Sequence, residues 1–494
     1  MFRISCLARF IALCAVLIAP WNGCEVWADP PTAEERTALD EYIAKPDPTY
    51  AWRLVETREA ADHTVFSIEL TSQTWRTAEE VDRPVWKHWL VIVKPKVVVS
   101  TTGFLFISGG SHHENPPESV EPRILQIASA SKSIVAELKN IPNQPMVFKE
   151  VGRPMVEDDL IAFTWKKFME TKDKEWPARL PMVKSAVRAM DCVQEFTASA
   201  AGGSVKVEKF MVAGASKRGW TTWCTAAVDP RVAAISPIVI DTLRLNRSTQ
   251  HHVEAYGFWA PSISEYIDHG IPLNEDKPAY LDLLKIEDPY FYRKRFTMPK
   301  YVLNAAGDQF FLPDNSQFYY DELPEEKLLR YVPNADHGLG GSDALESLIA
   351  FYETVLKGTQ RPKYSWQNLK SGAIRVETQT PSPQSVKLWQ AHNPDARDFR
   401  VEEIGRAYTS TDIAPLEPGI YIGEITPPKT GFTAYFVELT YDVGASYPLK
   451  VTTAVRVAPD VLPYKGIKSS DAKVGGVPKQ IQKELDKQKE KQKP

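Results

Sequence analysis

Apolar and polar residues alternate in two early runs of the chain, residues 64–72 and 85–93. A period of two is typical of β-strands with one buried face, so we predict an opening antiparallel pair. Residues 104–107 are apolar throughout and are followed by Ser108-Gly109-Gly110-Ser111. This pattern predicts a buried parallel strand that ends in a tight loop.

Further along the chain, segments with helical spacing of apolar residues are separated by short apolar runs. The helical segments are residues 124–139, 157–170, 182–197 and 344–356, and the apolar runs are residues 210–213, 233–240, 301–305 and 328–332. Strands that alternate with helices form a parallel sheet covered on both faces. The predicted fold class of this part is therefore α/β.

Two later segments differ from this pattern. Residues 244–296 lie between two predicted sheet strands and are rich in Tyr, Phe and Trp, which predicts an inserted lid. Residues 363–463 hold short alternating runs separated by turn residues, which predicts a small all-β, sandwich-like domain. We therefore predict an α/β domain over 29–360, this β domain, and a charged tail over 464–494.

Composition and charge exclude some classes of partner. The chain has 494 residues, of which 43% are hydrophobic and 25% charged, with a formal net charge of -4. These values are ordinary for a soluble globular protein. The dense basic stretch at the C-terminus is interrupted by acidic residues, so nucleic acid is not an expected partner.

Residues 1–28 have the form of a signal peptide, because two arginines precede an apolar run and Val26-Trp27-Ala28 offers a cleavage site. The run is too short to span a bilayer permanently. We expect a secreted or periplasmic protein without an integral membrane segment. A lipoprotein anchor at Cys24 is the alternative, although Trp21 stands where such motifs normally have Leu.

Ser216 stands between the apolar run 210–213 and a helix, within Gly214-Ala215-Ser216-Lys217-Arg218-Gly219. A serine on a strand-to-helix turn exposes its hydroxyl at the edge of a sheet, as a nucleophile elbow requires. Arg218 occupies the second glycine position of G-x-S-x-G, and Gly219 follows one residue later. An ordinary strand-to-helix turn is the alternative.

Asp308 and His337 each follow a later predicted strand. The chain order Ser, Asp, His is that of α/β-hydrolase triads. We therefore predict the α/β-hydrolase fold, with His337 as the base that deprotonates Ser216 and Asp308 as the acid that orients it. Asp314 is the rival acid.

The predicted oxyanion donors are the backbone N–H groups of Lys217, Gly110 and Ser111. Lys217 follows the nucleophile, and the glycine loop follows the strand that supplies the second donor in this fold. The histidine pairs at 112/113 and 251/252 lack the spacing of a zincin helix, so we predict neither a metal nor a cofactor.

Cleavage of the signal peptide would leave Cys192 and Cys224 in the mature chain. Export favours a disulfide, and the helices that carry these cysteines flank the strand before Ser216. We predict that they are bridged, and two separate buried thiols are the alternative.

The chain resembles the PhoPQ-activated pathogenicity-related proteins, a family that includes autocrine proliferation repressor-like members. The resemblance covers about residues 50–463, and its most specific marks are Trp86-x-His88, the elbow up to Trp220, Asn304-Ala305-Ala306-Gly307-Asp308-Gln309-Phe310-Phe311 and Gly431-Phe432-Thr433-Ala434-Tyr435-Phe436-Val437-Glu438. It implies a secreted protein with an α/β-hydrolase fold and a β domain. Arg218 belongs to the family's pattern. The elbow is also similar to the Gly-Cys-Ser-Arg-x-Gly of glucuronoyl esterases.

The leading functional hypothesis is a serine hydrolase, an esterase or peptidase, that acts on a small-molecule or peptide substrate. A glucuronoyl-type carbohydrate ester is the alternative substrate. The second hypothesis is a secreted signalling or binding protein that keeps the hydrolase scaffold without turnover. No oligomeric state is predicted.

Overall fold

A computed structural model describes residues 36–476 of the chain. The predicted signal peptide, the possible anchor at Cys24 and residues 477–494 of the predicted tail lie outside the described residues. Within the described range, no helix has both the length and the apolar character needed to cross a membrane.

The described residues before position 360 hold eleven strands, most of them apolar on at least one face. They are β1 (Ala51–Glu59), β2 (His63–Thr74), β3 (Val85–Pro95), β4 (Thr102–Ile107), β5 (Val135–Leu138), β6 (Met146–Val147), β7 (Pro154–Met155), β8 (Lys209–Ala215), β9 (Val232–Ile238), β10 (Lys300–Ala305) and β11 (Lys327–Val332). Nine of these form one sheet in the order β1-β2-β3-β5-β4-β8-β9-β10-β11. From β5 to β11 neighbouring strands are parallel, so the carboxyl ends of β8, β10 and β11 meet at one edge.

Ten α-helices lie in the described part of the chain, and most of them follow or precede strands of this sheet in sequence. They are α1 (Ala38–Ala44), α2 (Pro122–Ser131), α3 (Glu157–Thr171), α4 (Arg179–Ala198), α5 (Lys217–Val228), α6 (Leu245–Tyr256), α7 (Ser264–Asp268), α8 (Pro278–Glu287), α9 (Ala344–Lys357) and α10 (Val401–Ile404). Helix α4 packs against α5, and α2 packs against α9. Helices α6, α7 and α8 fall in the segment predicted as a lid, between β9 and β10.

The predicted helix over residues 124–139 is wrong beyond Ser131. Lys132 takes a left-handed conformation with φ 49 and ends α2, and residues Val135–Leu138 form β5 inside the central sheet. All four residues of β5 are buried, so the strand has no polar face to reveal a period of two. Periodicity alone does not distinguish such a short buried strand from a helix.

The predicted disulfide is also wrong. Cys192 on α4 and Cys224 on α5 are separate, buried thiols. Although the two helices pack together, Cys192 lies near Glu195 and Asp191, whereas Cys224 Sγ lies 3.9 Å from the carbonyl oxygen of Glu287. Burial raises the pKa of both thiols well above its usual range.

After α9 the described chain is mainly antiparallel β-structure, as the alternating runs predict. Its strands are β12 (Tyr364–Asn368), β13 (Ile374–Thr378), β14 (Ser385–Asn393), β15 (Thr409–Asp412), β16 (Ile420–Gly423), β17 (Phe432–Tyr441), β18 (Leu449–Thr452) and β19 (Arg456–Ala458). They form one sheet in the order β12-β13-β16 and a second in the order β15-β14-β17-β18, with β19 on β17. This part contacts the central sheet directly, since Tyr301 donates from its hydroxyl to Lys450 O over 2.7 Å. The boundaries of separate folding units stay predictions.

Residues 464–476, the described part of the predicted charged tail, pack against the rest of the chain. Ile467 and Ala472 are buried in a small apolar cluster with Val253 and Trp259. The indole of Trp259 donates to Ser469 O over 3.0 Å, and its backbone N–H donates to Lys473 O over 2.8 Å. These apolar contacts and hydrogen bonds therefore hold the segment against α6 and the loop that follows it.

Candidate functional site

Ser216 occupies a strained turn between β8 and α5, with φ 57 and ψ -128. A non-glycine residue rarely adopts a positive φ, and it persists only where its surroundings enforce it. Here Ser216 N donates to Ile238 O over 2.8 Å, and Trp220 N donates to Ser216 O over 2.9 Å. The turn thus has the backbone form and the sheet-edge position of a nucleophile elbow.

The close crossing of β8 and α5 depends on two glycines. A Cβ on Gly219 would lie 2.8 Å from Gly214 O and 2.9 Å from Ile238 O. A Cβ on Gly214 would lie 2.7 Å from Arg218 O. Gly219 therefore permits the tight helix-strand contact that G-x-S-x-G assigns to a glycine one position earlier.

Glu157, the first residue of α3, binds both cations of the elbow. Arg218 donates to Glu157 Oε2 over 2.7 Å and to Oε1 over 2.6 Å, and Lys217 Nζ lies 2.8 Å from Glu157 Oε2. Burial alone would raise the pKa of this carboxyl, but Arg218 and Lys217 lower it to about 2. Arg218 also donates to Ile141 O over 2.5 Å, and its guanidinium fills the space beside Gly109. The unusual arginine therefore ties α5 to α3 and to the loop after β4.

The predicted acid and base are hydrogen-bonded to each other. His337 Nδ1 lies 2.8 Å from Asp308 Oδ2 and 3.0 Å from Oδ1. Asp308 is buried, and its Oδ1 accepts from Phe310 N over 2.8 Å. Gln309 Oε1 accepts from His337 N over 3.0 Å. This pairing leaves Nε2 as the ring nitrogen of His337 that is available for another group.

A cavity that Ser216 lines extends toward His337. Phe310 and Phe311 line the same cavity, and the Phe310 ring packs on His337 with centroids 4.3 Å apart. Within residues 36–476, no hydrogen bond joins Ser216 Oγ to His337. Catalytic hydrogen bonds are often long or poorly aligned in free enzymes and tighten when substrate binds.

Of the other predicted site residues, Lys217 lines the Ser216 cavity, whereas Asp314, Gly110 and Ser111 lie elsewhere. Asp314, the rival acid, accepts from Arg397 over 2.6 Å and pairs with His251 over 3.0 Å, so its carboxylate belongs to a separate buried network. Gly110 and Ser111 line a different cleft, next to His112 and His113. Lys217 is the first residue of α5, so its backbone N–H has no acceptor within the helix. In the described part of the chain, no group of three or more His, Cys, Asp or Glu is arranged to hold a metal ion.

Asp241 is a buried carboxyl that follows β9 and that sequence analysis did not identify. Tyr319 donates to its Oδ1 over 2.7 Å and Tyr331 donates to its Oδ2 over 2.5 Å. Burial raises the pKa of Asp241 to about 8. The negative charges of Asp308 and Asp314 also raise this pKa, whereas the hydrogen bonds from the two tyrosine hydroxyls lower it. Asp241 is therefore largely protonated at neutral pH.

Sequence reasoning also missed Glu157. Arg218, which stands at the second glycine position of G-x-S-x-G, was the one signal for it, because a buried arginine requires an acidic partner. The partner lies 61 residues away in the chain, and no local pattern marks it.

The order of the central sheet, its parallel strands and the elbow after β8 define the class of the molecule as an α/β-hydrolase fold. The model of the family described as PhoPQ-activated pathogenicity-related protein matches residues 39–400, and the chain belongs to this family. It is 39% identical over 456 residues to Autocrine proliferation repressor protein A of Dictyostelium discoideum, covering 87% of this chain and 92% of that protein.

Solved esterases are more distant. Acetyl xylan esterase 1 from Thermoanaerobacterium sp. JW/SL YS485 has a TM-score of 0.45 and 12% identity, covering 67% of this chain and 95% of that chain. An acetyl xylan esterase from Paenibacillus sp. R4 has a TM-score of 0.47 and 15% identity, covering 66% and 97%. A glucuronoyl esterase from Solibacter usitatus has a TM-score of 0.37 and 13% identity, covering 65% and 91%. The strand order, not these scores, carries the fold assignment.

The first prediction concerns the crossing of β8 and α5. Gly219→Ala should lower the free energy of unfolding by about 1–3 kcal/mol, because the added methyl group overpacks against two backbone carbonyls. Gly340→Ala is the matched control, since a Cβ there meets nothing within 4 Å. Urea unfolding of both variants and the wild type tests this, and a Gly219→Ala protein as stable as the control would contradict it.

The second prediction concerns Asp241. Its pKa of about 8 lies above the value of roughly 3.9 for an unfolded aspartate, so the native state holds the proton more tightly. The stability that this group contributes is present below the unfolded pKa and is lost as pH rises through about 8. Asp241→Asn mimics the neutral acid and does not ionise. Its stability relative to wild type should therefore increase between about pH 4 and pH 8.

Urea unfolding at several pH values measures this difference, with the exposed Asp336→Asn as a control for the chemical change. A difference between Asp241→Asn and wild type that does not change with pH would contradict the raised pKa.

Proposed function

We propose that the protein is an exported serine hydrolase that transfers an acyl group from a small-molecule or peptide substrate to water. Ser216 is the nucleophile, His337 the general base and Asp308 the acid that orients it. One arrangement carries the proposal: Ser216, on its strained turn, and Phe310 line the same cavity. The Phe310 ring packs on His337, which is hydrogen-bonded to Asp308. Backbone strain of this kind concentrates at functional sites. Export to the periplasm or beyond rests on the predicted signal peptide at residues 1–28.

In the first half of the reaction, Ser216 Oγ attacks the substrate carbonyl carbon while His337 Nε2 accepts the hydroxyl proton. The charge that develops on the carbonyl oxygen faces the N–H of Lys217 at the N-terminus of α5. Gly110 and Ser111 would have to contribute from the neighbouring cleft. The tetrahedral intermediate then expels the alcohol or amine, which takes the proton from His337.

In the second half, water attacks the acyl group on Ser216, and His337 accepts a proton from that water. Asp308 stabilises the imidazolium in both steps and fixes its tautomer through Nδ1. Expulsion of Ser216 Oγ, which recovers its proton from His337, releases the carboxylic acid. The balance is one ester or amide and one water to one acid and one alcohol or amine.

The second candidate function is signalling or binding without turnover. Two observations favour it: no hydrogen bond joins Ser216 to His337 among the described residues, and the Dictyostelium relative is named as a proliferation repressor. A glucuronoyl-type carbohydrate ester is a less suitable substrate, because the Ser216 cavity is small, with a volume of ≈ 100 Å³, and mostly apolar.

The third prediction separates the two functions. On a short-chain acyl ester, Ser216→Ala should lower kcat by roughly 10⁶-fold, and His337→Ala should lower it by nearly as much, because the two residues act as one unit. Asp308→Asn should retain more activity, with a loss of about 10⁴-fold.

Asp336→Asn, next to the base but exposed, is the matched control and should keep wild-type turnover. Folding of each variant is checked by circular dichroism. Turnover that survives in Ser216→Ala, or its absence from the folded wild type across esters and amides, would favour the binding function.

A further inference from the structure

The cavity that contains Ser216 is mainly apolar but includes polar atoms without partners. Three tryptophans, two tyrosines and two phenylalanines are among its lining residues: Trp165, Trp220, Trp259, Tyr266, Tyr280, Phe310 and Phe311. Within residues 36–476, Ser248 Oγ and Tyr280 OH have no hydrogen-bond partner, although Ser248 is 3% exposed and Tyr280 is 0% exposed. Buried polar groups are normally hydrogen-bonded, so these hydroxyls are available to bind a ligand or an ordered water.

Glu275 lines the same cavity, at the end of the 3₁₀-helix Ile271–Asn274. Hydroxyl groups of Ser469 and Thr249 lie beside its carboxyl, and within the described range no basic side chain forms an ion pair with it. Burial raises the pKa of Glu275. Glu275 is half-buried, so ionisation of its carboxyl costs free energy, and a bound cation would reduce that cost.

The remaining charges of the cavity do not supply that cation. Lys217 Nζ is held 2.8 Å from Glu157 and 3.2 Å from Asp158, which also accepts from Tyr266. Burial lowers the pKa of His252 to about 3, so its ring is neutral. Among the described lining residues, Glu275 is therefore the carboxyl without a cationic partner.

We propose that this cavity binds the ammonium group of a small aminoacyl substrate, with Glu275 as its counter-ion. The inference rests on the proposed function for the reaction, but the binding step can be measured without it. Ser248 and Tyr280 offer hydroxyl oxygens to the remaining N–H groups, and the aromatic rings favour a cation over an anion. The volume, ≈ 100 Å³, suits a small acyl group, since a cavity of roughly 150 Å³ holds benzene.

Substrates of this class are esters or amides of amino acids, including the N-terminal residue of a peptide. Attack by Ser216 on the acyl carbon would form the aminoacyl ester and expel the alcohol or amine, and water would then release the free amino acid and restore the serine hydroxyl. The ammonium group is not changed in either step. Glu275 is thus a specificity-determining residue that binds substrate away from the reacting atoms.

Binding is measured by calorimetry on Ser216→Ala with three amides of the same skeleton: alaninamide, lactamide and propionamide. A second series, 4-aminobutanamide, 4-hydroxybutanamide and butanamide, tests a longer distance between the carbonyl carbon and the ammonium group. The amine of at least one series should bind about 10-fold to 100-fold more tightly than its neutral analogues, as expected for a charged hydrogen bond. Adding Glu275→Gln should remove this preference and leave binding of the neutral amides unchanged.

Asp276→Asn is the matched control, because Asp276 is the exposed neighbour of Glu275 and its loss changes the net charge equally. Equal binding of amine and hydroxyl analogues, or an amine preference that survives Glu275→Gln, would overturn the proposal. If the wild type hydrolyses neutral esters while the amines show no preference, the inference fails and the hydrolase function stands. If amines bind through Glu275 but no ester or amide is hydrolysed, the inference holds and the hydrolase function fails.

Discussion

The close crossing of α5 over β8 is the constraint on which the site depends. The carbonyl oxygens of Gly214 and Ile238 leave no room for a Cβ at position 219, and the backbone of Arg218 leaves none at position 214. The chain passes from strand to helix within this space, which forces Ser216 into its positive φ. A strained residue persists only where other interactions fix it. Here these are the backbone hydrogen bonds of Ser216, supported by the ion pairs of Arg218 and Lys217 with Glu157.

The C-terminal β-structure fixes the other half of the site. The loop that carries Asp308 contacts α10, because Val401 N donates to Gly307 O over 3.0 Å and the Val401 side chain fills the space beside Gly307. The loop that carries His337 is bound through Asn334, which donates to Tyr408 O and accepts from Tyr408 N, each over 2.8 Å. The β-rich part therefore positions Asp308 and His337, and its role extends beyond that of an appended domain.

The parts of the fold that could be predicted were those with a clear period or a distinct local signal. The parallel strands, the elbow and the inserted aromatic segment all have such signals, and Asp308 and His337 follow predicted strands. The β5 strand, buried on every residue, resembled a helix. Partners that lie far apart in sequence had no local signal, as for Glu157 with Arg218, and no local signal showed that Cys192 and Cys224 stay unbridged. Side-chain pairing between distant segments depends on tertiary packing, which periodicity does not describe.

Ser216 is proposed to be a nucleophile and not simply a structural turn residue. The most direct measurement is the reaction of the folded wild-type protein with a fluorophosphonate, followed by peptide mass mapping. If Ser216 is the nucleophile, the reagent should add one covalent group per chain, on the peptide that contains Ser216. A folded protein that stays unlabelled, or that carries the group on another residue, would contradict it.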